Sequence, residues 1–559
     1  IRQRGGRNKF GMRILVLPAL LALLASSSEA FFAPGSVRLP SPARGLASSS
    51  VGSYARRGAA GGSHSFLLSL SAKDGKPRQG AQPTVSMKPK EDEENYSAPT
   101  PSEMTGAIPP KWHLDKPPVE RPNIPVAFED VCMAGQRIRG QVKYTACAKN
   151  PEISEITGCD VYFKHEYKQF TGSFKERGAR NALMSLDEKQ KEVGVIAASA
   201  GNHALGLAYH GKLLGIPVTV IMPQTAPLTK INKCRKLGAN VVLFGAHIGE
   251  AKDHALSDPK FQGLQYINGY DDPAIVAGAG TIGLEILEQI PEVDAIVVPV
   301  GGAGLIAGIS LAVKSIAPDV EVIGVEPERC ASYTEAVRQG TPSGVEVAPT
   351  LADGLAVPTV GPHAFEVARH YVDSVHLTSE KQVALAVLRL VEHEKAVVEG
   401  GGAAGLAALL PGGSLYRDPR LVGKKVVVPL CGGNIDITIL GRVIERGLAA
   451  DKRLVKMYIT VSDRPGGLSA LTALIAGTGA SIWDISHERA WLHESVDQVR
   501  NGVTVELTGP DHLDQLVEAL TTEGYPVELP PDEAVEGGAV VAPGFSGYRE
   551  KVTPEWNTD

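Results

Sequence analysis

Short runs rich in valine and isoleucine alternate with amphipathic segments between Cys159 and Leu448, and no other feature of the sequence constrains the fold as strongly. The apolar runs have the length of strands, and the segments between them have the periodicity of helices. Strands separated by helices favour parallel sheets with helical crossovers, so the sequence predicts an α/β fold. The predicted strands are 160–166, 193–199, 217–223, 239–245, 294–300, 320–326 and 424–430, and two of the predicted helices are 202–215 and 380–394.

The pattern changes after Leu448 and indicates a second, smaller domain. Segments typical of strands and helices follow there in the order βαββαβ, which is the order of a ferredoxin-like sandwich. We therefore expect an α/β domain over 121–448, a sandwich domain over 453–530 and a loose tail over 531–559. The segments predicted within the sandwich are the strands 453–463, 480–490, 501–509 and 525–530 and the helices 466–479 and 511–524.

The composition excludes several classes of function. The formal net charge of −6 gives no electrostatic basis for binding nucleic acid or an acidic membrane surface. The six cysteines include no C-x-x-C pair and no Cys/His cluster with zinc spacing, so neither a disulfide framework nor a structural zinc site is predicted. We predict no metal ion, no nucleic-acid partner and no membrane partner for the mature chain.

The first 120 residues have the composition of targeting segments. An apolar run over 14–25 is too short to span a bilayer and is followed by the small residues of a cleavage site. We expect a signal peptide over 1–30, with Met12 as the initiator, and a transit peptide and disordered linker over 31–120. The junction before Phe31 resembles a bipartite plastid-targeting leader, so we expect a plastid protein, with the secretory pathway as the alternative.

Three loops follow predicted strands, at the carboxyl ends where α/β sheets bind ligands. In "TGSFKERGA" (171–179), Lys175 lies where a helix should begin. In "ASAGNHALG" (198–206), the start of a helix provides backbone N–H groups that suit a carboxylate. In "VPVGGAGLIAG" (298–308), backbone with few side chains can surround a phosphate. A lysine, a carboxylate site and a phosphate site together are what pyridoxal phosphate needs to act on an amino acid.

The stretch from Pro122 to Leu448 resembles the fold-type II (tryptophan synthase β-like) pyridoxal-phosphate enzymes, and among them the threonine/serine ammonia-lyase and serine racemase family. Seven motifs in the family order make this resemblance highly specific. It implies pyridoxal phosphate as the cofactor, an amino acid as the substrate and a homo-oligomer, either a dimer or a tetramer. Besides the three loops, the motifs are "IGVEPE" (323–328), "LADGLAV" (351–357), "VEGGGAAG" (398–405) and "LCGGNID" (430–436).

The resemblance also implies roles for individual residues. Lys175 would form the Schiff base with the cofactor aldehyde and remove the α-proton of the substrate. Asn202 would bind the ring hydroxyl, and Cys431 would face the pyridine nitrogen. The remaining residues implied are Gly301, Gly302, Ala303, Gly304 and Leu305, whose backbone would hold the phosphate, and Ser199, Ala200, Gly201 and His203, which would line the substrate carboxylate site.

Two of these residues favour elimination over other reactions. A neutral thiol at Cys431 cannot keep the pyridine protonated as a carboxylate would, which favours prompt loss of a β-hydroxyl. Ala200 has no acid or base group, whereas serine racemases carry a serine there. The resemblance thus implies threonine ammonia-lyase activity, giving 2-oxobutanoate and ammonia for isoleucine biosynthesis. A serine dehydratase or racemase of the same fold and a non-catalytic amino-acid sensor are the alternatives.

Residues 461–490 resemble an ACT domain, which binds amino-acid effectors at the turn after its first strand. The residues of that turn are Asp463, Arg464, Gly466, Gly467 and Leu468. A plain dimerisation module is the alternative for this domain.

Some positions depart from the family pattern. Leu205 and Ala279 stand where glutamine is usual, which leaves the choice between threonine and serine open. Glu326 matches a cation-binding glutamate of some relatives, but Ser332 stands where an aspartate ligand is expected.

Overall fold

The computed structural model describes residues 124–489 and 497–530. The signal peptide, transit peptide and linker predicted over 1–120 and the tail predicted over 531–559 lie outside the described residues. Within the described ranges, no helix combines the length and the apolar character that crossing a bilayer requires.

Strands and helices alternate along most of the described chain. The strands are β1 (Cys147–Lys149), β2 (Asp160–Lys164), β3 (Val195–Ala198), β4 (Val218–Met222), β5 (Asn240–Leu243), β6 (Gln265–Tyr266), β7 (Ala295–Pro299), β8 (Glu321–Pro327), β9 (Ser374–Thr378), β10 (Lys425–Pro429), β11 (Leu454–Ser462), β12 (Ser481–Glu488), β13 (Gln498–Glu506) and β14 (Val527–Glu528). The helices are α1 (Phe128–Ile138), α2 (Pro151–Thr157), α3 (Lys175–Met184), α4 (Glu188–Val193), α5 (Asn202–Leu214), α6 (Leu228–Lys236), α7 (Ile248–Ser257), α8 (Pro273–Gln289), α9 (Gly304–Ile316), α10 (Ser332–Gln339), α11 (Pro362–Tyr371), α12 (Glu380–Arg389), α13 (Gly400–Leu409), α14 (Ile437–Ala450), α15 (Gly467–Gly477) and α16 (Pro510–Thr522). A π-helical turn, Leu390–Glu394, continues α12.

Two largely parallel sheets carry the α/β part, as predicted. The larger has the strand order β1-β2-β10-β7-β8-β9, in which β1 alone runs antiparallel to its neighbour. The smaller has the order β5-β4-β3-β6 and is parallel throughout. Every residue of β4 and β7 is buried, because helices cover both faces of these strands. Since the helices cover the faces of the sheets, the loops that follow the strands lie at the carboxyl ends of both sheets.

The C-terminal part has the predicted βαββαβ order. Its sheet is antiparallel with the strand order β12-β13-β11-β14, which is that of a ferredoxin-like sandwich. Alternate residues of β11, such as Met457 and Ile459, are buried, and they pack in one core with Ile475 of α15 and Leu516 of α16.

Three strands of the α/β part were not predicted. Strands β1 and β6 contain three and two residues, which is too short to show a period in sequence. Strand β9 contains Ser374 and His376, polar residues that are nonetheless buried in the structure. Burial of these side chains depends on tertiary packing that a local pattern does not reveal.

Candidate active site

Lys175 begins helix α3 at the carboxyl end of β2. Its Nζ donates a hydrogen bond of 2.6 Å to the carbonyl oxygen of Gly269 and lies 4.9 Å from the ring centre of Phe174. Desolvation by the surrounding protein lowers the pKa of Lys175 to about 8, although Cys431 and Glu399 act in the opposite direction. A lowered pKa makes the neutral, nucleophilic amine accessible near physiological pH.

A buried ionic network holds the start of α3 in place. Arg177 is fully buried and donates to Glu166 at 2.7 Å and to Glu285 at 2.6 Å. The carboxylate of Glu176 accepts from the backbone N–H of Thr171, so it closes the loop that precedes Lys175. Sequence reasoning assigned no role to Glu176 or Arg177, although both belong to the motif that contains Lys175.

The loop after β10 faces the loop that carries Lys175. The N–H of Phe174 donates to the carbonyl oxygen of Cys431 at 2.9 Å, and the N–H of Gly433 donates to that of Gly172 at 2.9 Å. Burial raises the pKa of the Cys431 thiol well above its ordinary value, and the thiol donates to the carbonyl oxygen of Pro429 at 3.3 Å. Cys431 therefore carries a neutral thiol, and it lies close enough to Lys175 for the two groups to interact electrostatically.

Asn202, the first residue of α5, belongs to a hydrogen-bonded network. Its Nδ2 donates to Oε1 of Glu399 at 2.6 Å, and its Oδ1 accepts from Nδ2 of Asn434 at 2.9 Å. Sequence reasoning missed Glu399 and Asn434 as site residues, although both lie in motifs that carried the family resemblance. Polar side chains within glycine-rich motifs were the signal that could have found them.

The loop between β7 and α9 is built almost entirely from buried backbone. Ala303 has a left-handed φ of 69°, and a Cβ at Gly304 would overlap the carbonyl oxygen of Tyr270. Among the described residues, no backbone acceptor pairs with the N–H groups of Gly301, Gly302 and Ala303. Buried N–H groups are almost always paired, so this loop requires an acceptor from a bound group. Together with the start of α9, where Gly304 and Leu305 lie, it suits a phosphate.

The loop before α5 contains the residues predicted to bind the substrate carboxylate. Ser199 Oγ accepts from the N–H of Gly201 at 3.3 Å, and a Cβ at Gly201 would meet only open space. His203 donates from Nε2 to the carbonyl oxygen of Ile267 at 3.1 Å, and burial, followed by the charge of Lys175, lowers its pKa to about 3. The remaining Nδ1 of a neutral ring can only accept. The imidazole ring of His203 therefore has no N–H to donate to the substrate carboxylate, and only its backbone N–H could make that contact.

Glu326, for which no metal role was predicted, and the five residues predicted to bind an effector have other partners. Both oxygens of Glu326 accept hydrogen bonds of 2.7 Å from the start of α10, contributed by Tyr333 and Thr334. No group of His, Cys, Asp and Glu among the described residues has the arrangement of a metal site. In the C-terminal domain, Asp463, Arg464, Gly466, Gly467 and Leu468 lie in the turn after β11 and the start of α15, where Asp463 accepts three hydrogen bonds from Arg489.

The profile of the family described as "Pyridoxal-phosphate dependent enzyme" matches residues 138–432, about half of the chain. The chain belongs to this family. The enzyme's cofactor is therefore pyridoxal phosphate, and the unpaired N–H groups of the β7–α9 loop and the amine of Lys175 fit its phosphate and its aldehyde.

Relatives with named activities resemble the enzyme over different shares of its length. The L-threonine ammonia-lyase of Thermotoga maritima is 41% identical over 404 residues, which cover 72% of this chain and 99% of that protein. The catabolic L-threonine dehydratase of Staphylococcus aureus is 42% identical over 324 residues, 58% of this chain and 93% of its own.

Solved structures show the same fold. The processed form of threonine deaminase isoform 2 from Solanum lycopersicum is 34% identical with a TM-score of 0.53, and covers 57% of this chain and 91% of its own. Maize serine racemase is 31% identical with a TM-score of 0.54, and covers 58% of this chain and 98% of its own.

The lowered pKa of Lys175 predicts how fast the cofactor-free enzyme binds pyridoxal phosphate covalently. Only the neutral amine attacks an aldehyde, so the rate should rise about tenfold per pH unit below pH 8 and level off above it. Stopped-flow absorbance of cofactor-free enzyme mixed with pyridoxal phosphate between pH 6 and 10 measures this rate. Nα-acetyl-lysine, with an ordinary pKa, is the control and should keep accelerating to about pH 10. If the rate for the enzyme depended on pH in the same way as the rate for Nα-acetyl-lysine, the assignment of Lys175 would be contradicted.

Proposed function

We propose that the enzyme is an L-threonine ammonia-lyase, which converts L-threonine to 2-oxobutanoate and ammonia. The similarity to the Thermotoga maritima L-threonine ammonia-lyase, 41% identical over 99% of that protein, carries this proposal. Maize serine racemase is matched over nearly its whole length within 58% of this chain, whereas the Thermotoga maritima lyase extends over 72%. The difference, about 14% of the chain, corresponds in length to one small domain such as the β11–β14 sandwich. The threonine-acting relatives are also more similar in sequence, at 41% and 42% identity against 31% for the racemase, and thus support the lyase over the racemase.

The site residues supply what the reaction needs. When bound, pyridoxal phosphate supplies an electron sink that makes the α-proton of an amino acid acidic. Lys175 has an amine of lowered pKa, which suits removal of that proton. The N–H groups at the start of α5 suit the substrate carboxylate, and the neutral thiol of Cys431 gives the cofactor ring no additional charge.

Serine dehydration and serine racemisation are the competing reactions. Ala200, in the loop that suits the carboxylate, has a methyl side chain and can neither give nor take a proton, which disfavours racemisation. Leu205 and Ala279 are both buried and apolar, so no side-chain donor from them is available to select between threonine and serine.

A substrate panel tests the proposal. We expect purified enzyme to release 2-oxobutanoate from L-threonine with a higher kcat/KM than it releases pyruvate from L-serine, and to form no D-serine on chiral analysis. A preference for L-serine would favour the dehydratase, D-serine formation would favour the racemase, and the absence of any turnover would favour the amino-acid sensor.

We further propose that the C-terminal domain is an ACT-like regulatory domain and that the reaction serves isoleucine biosynthesis. Ion pairs between the start of this domain and the π-helical turn after α12 support a regulatory role. Arg453, directly before β11, binds the carboxylate of Glu392 in the π-helical turn, and Arg389 binds Asp451 at 2.5 Å. The π-helical turn leads within five residues to Glu399, which binds Asn202. Such turns are frequent at functional sites.

The substitution Arg453→Met should uncouple the two domains. Because it removes the ion pair with Glu392, we expect the response of L-threonine turnover to an amino-acid effector, probed with L-isoleucine as the end product of the proposed pathway, to fall at least severalfold while kcat without effector stays close to wild type. Lys456→Met, on an exposed position of β11, is the matched control. An unchanged response in Arg453→Met would contradict the proposed route.

We also propose that the mature enzyme is a plastid homo-oligomer, a dimer or tetramer. The composition of residues 1–120 supports the location, and a fluorescent fusion to these residues tests it. Light scattering of the mature protein tests the oligomeric state.

A further inference from the structure

Glu399 directs its carboxylate into the cofactor pocket. It is the N-cap residue of α13, yet its side chain makes no capping hydrogen bond to that helix. Instead, Oε1 accepts from Asn202 at 2.6 Å, and a Cβ at Gly432 would overlap this oxygen. The backbone N–H of Glu399 donates to the carbonyl oxygen of Gly432 at 2.9 Å, which fixes the direction of the side chain. A purely structural cap would turn back toward its own helix.

The amide of Asn202 is constrained at both ends by this arrangement. Its oxygen accepts from Nδ2 of Asn434, a group that also donates to the carbonyl oxygen of Thr171 at 2.7 Å. One of its two N–H groups is taken by Glu399. A primary amide has two N–H groups and one oxygen, so a single N–H remains for another partner.

We propose that Glu399 is a positioning residue that fixes the amide of Asn202, so that Asn202 presents an N–H rather than its oxygen to the ring of bound pyridoxal phosphate. The inference rests on pyridoxal phosphate being the cofactor, which family membership shows. It rests on the proposed function only in experiments that measure turnover of L-threonine. An ionised carboxylate fits this task because it can only accept, which excludes the flipped amide.

The charge of Glu399 gives a second readout. Desolvation, and then the charge of Asp353, raise the pKa of Glu399 to about 7, against the hydrogen bond from Asn202 and the charge of Lys230. Lys230 and Asp353 pair at 3.6 Å, and Lys175 and Cys431 are the other titratable groups that face the carboxylate. Because Cys431 stays neutral, it adds no titration of its own near pH 7. The absorbance of the bound cofactor should therefore shift near pH 7, as Glu399 loses its proton, and again near the pKa values of the cofactor's own groups.

A double-mutant cycle tests the positioning role. We expect Glu399→Ala to raise the dissociation constant for pyridoxal phosphate roughly ten- to a hundredfold, the range for losing a hydrogen bond to a charged group. Glu399→Ala combined with Asn202→Ala should bind no more weakly than Asn202→Ala alone, because the proposed effect of Glu399 on cofactor affinity passes through the amide of Asn202. Additive losses in the double variant would overturn the inference.

A conservative variant separates geometry from charge. The side-chain oxygen of Glu399→Gln can still accept from Asn202, so this variant should bind the cofactor within about threefold of wild type. It should lose the absorbance shift near pH 7. Retention of that shift, or a loss of affinity as large as in Glu399→Ala, would count against the proposed role.

Glu326→Gln is the matched control, because burial also raises the pKa of Glu326 to about 7 while its hydrogen bonds go to Tyr333 and Thr334. It should leave the cofactor spectrum and affinity unchanged. Failure of wild type to turn over L-threonine would refute the proposed function, yet the cofactor titrations would still decide the role of Glu399.

Discussion

The variant Lys175→Ala is expected to lose L-threonine turnover by roughly 10³-fold or more, because it removes both the amine that binds the cofactor covalently and the base for the α-proton. Its melting temperature without cofactor should stay close to wild type, since the lysine makes one hydrogen bond, to Gly269, and no ion pair among the described residues. Steady-state release of 2-oxobutanoate and differential scanning calorimetry measure these two effects.

Lys168→Ala is the control for this experiment. Lys168 is exposed, lies seven positions before Lys175 and contacts the ring of Tyr167 rather than the pocket. It should retain full activity. Turnover by Lys175→Ala within tenfold of wild type would show that another group performs the chemistry.

The second large effect is expected from Gly304→Ala. A Cβ at this position would overlap the carbonyl oxygen of Tyr270, and backbone cannot move aside as a flexible side chain can. Overpacking of this kind typically costs about 1–3 kcal/mol, and displacement of the loop would remove the N–H groups from the phosphate. We expect the dissociation constant for pyridoxal phosphate to rise by about tenfold or more, because 1.4 kcal/mol is tenfold.

Gly477→Ala provides the comparison for Gly304→Ala. Gly477 is the last residue of α15, where an added Cβ would meet no atom within 4 Å. Cofactor titration and thermal unfolding of both variants measure the effects. Equal cofactor affinity in Gly304→Ala and wild type would contradict the assignment of the phosphate loop.

The sequence predicted the fold well where burial is continuous. Runs such as "AIVVP" in β7 are buried on both faces, so their composition alone indicates parallel strands covered by helices. The loops after β2, β3 and β7 could be placed because each follows a predicted parallel strand at the binding edge of a sheet. The loops that contain Lys175, Asn202 and Gly301–Leu305 were therefore within reach of the strand pattern, and the family resemblance implied the roles of the individual residues.

Hydrogen bonds between side chains of distant motifs could not be predicted from the sequence. Asn202 and Glu399 are 197 positions apart, and nothing local to either motif shows that they share a hydrogen bond. The same holds for His203, whose ring is hydrogen-bonded to the carbonyl oxygen of Ile267, the residue after β6. Such contacts depend on how the two sheets and their loops pack in three dimensions, and the periodicity of the sequence carries no information about that packing.

The most direct test of the account is reduction of the holoenzyme with borohydride followed by peptide mapping by mass spectrometry. The account predicts a single stable pyridoxyl-phosphate adduct on the peptide that contains Lys175, in a stoichiometry of about one per chain. An adduct on a different lysine, or none at all, would contradict it.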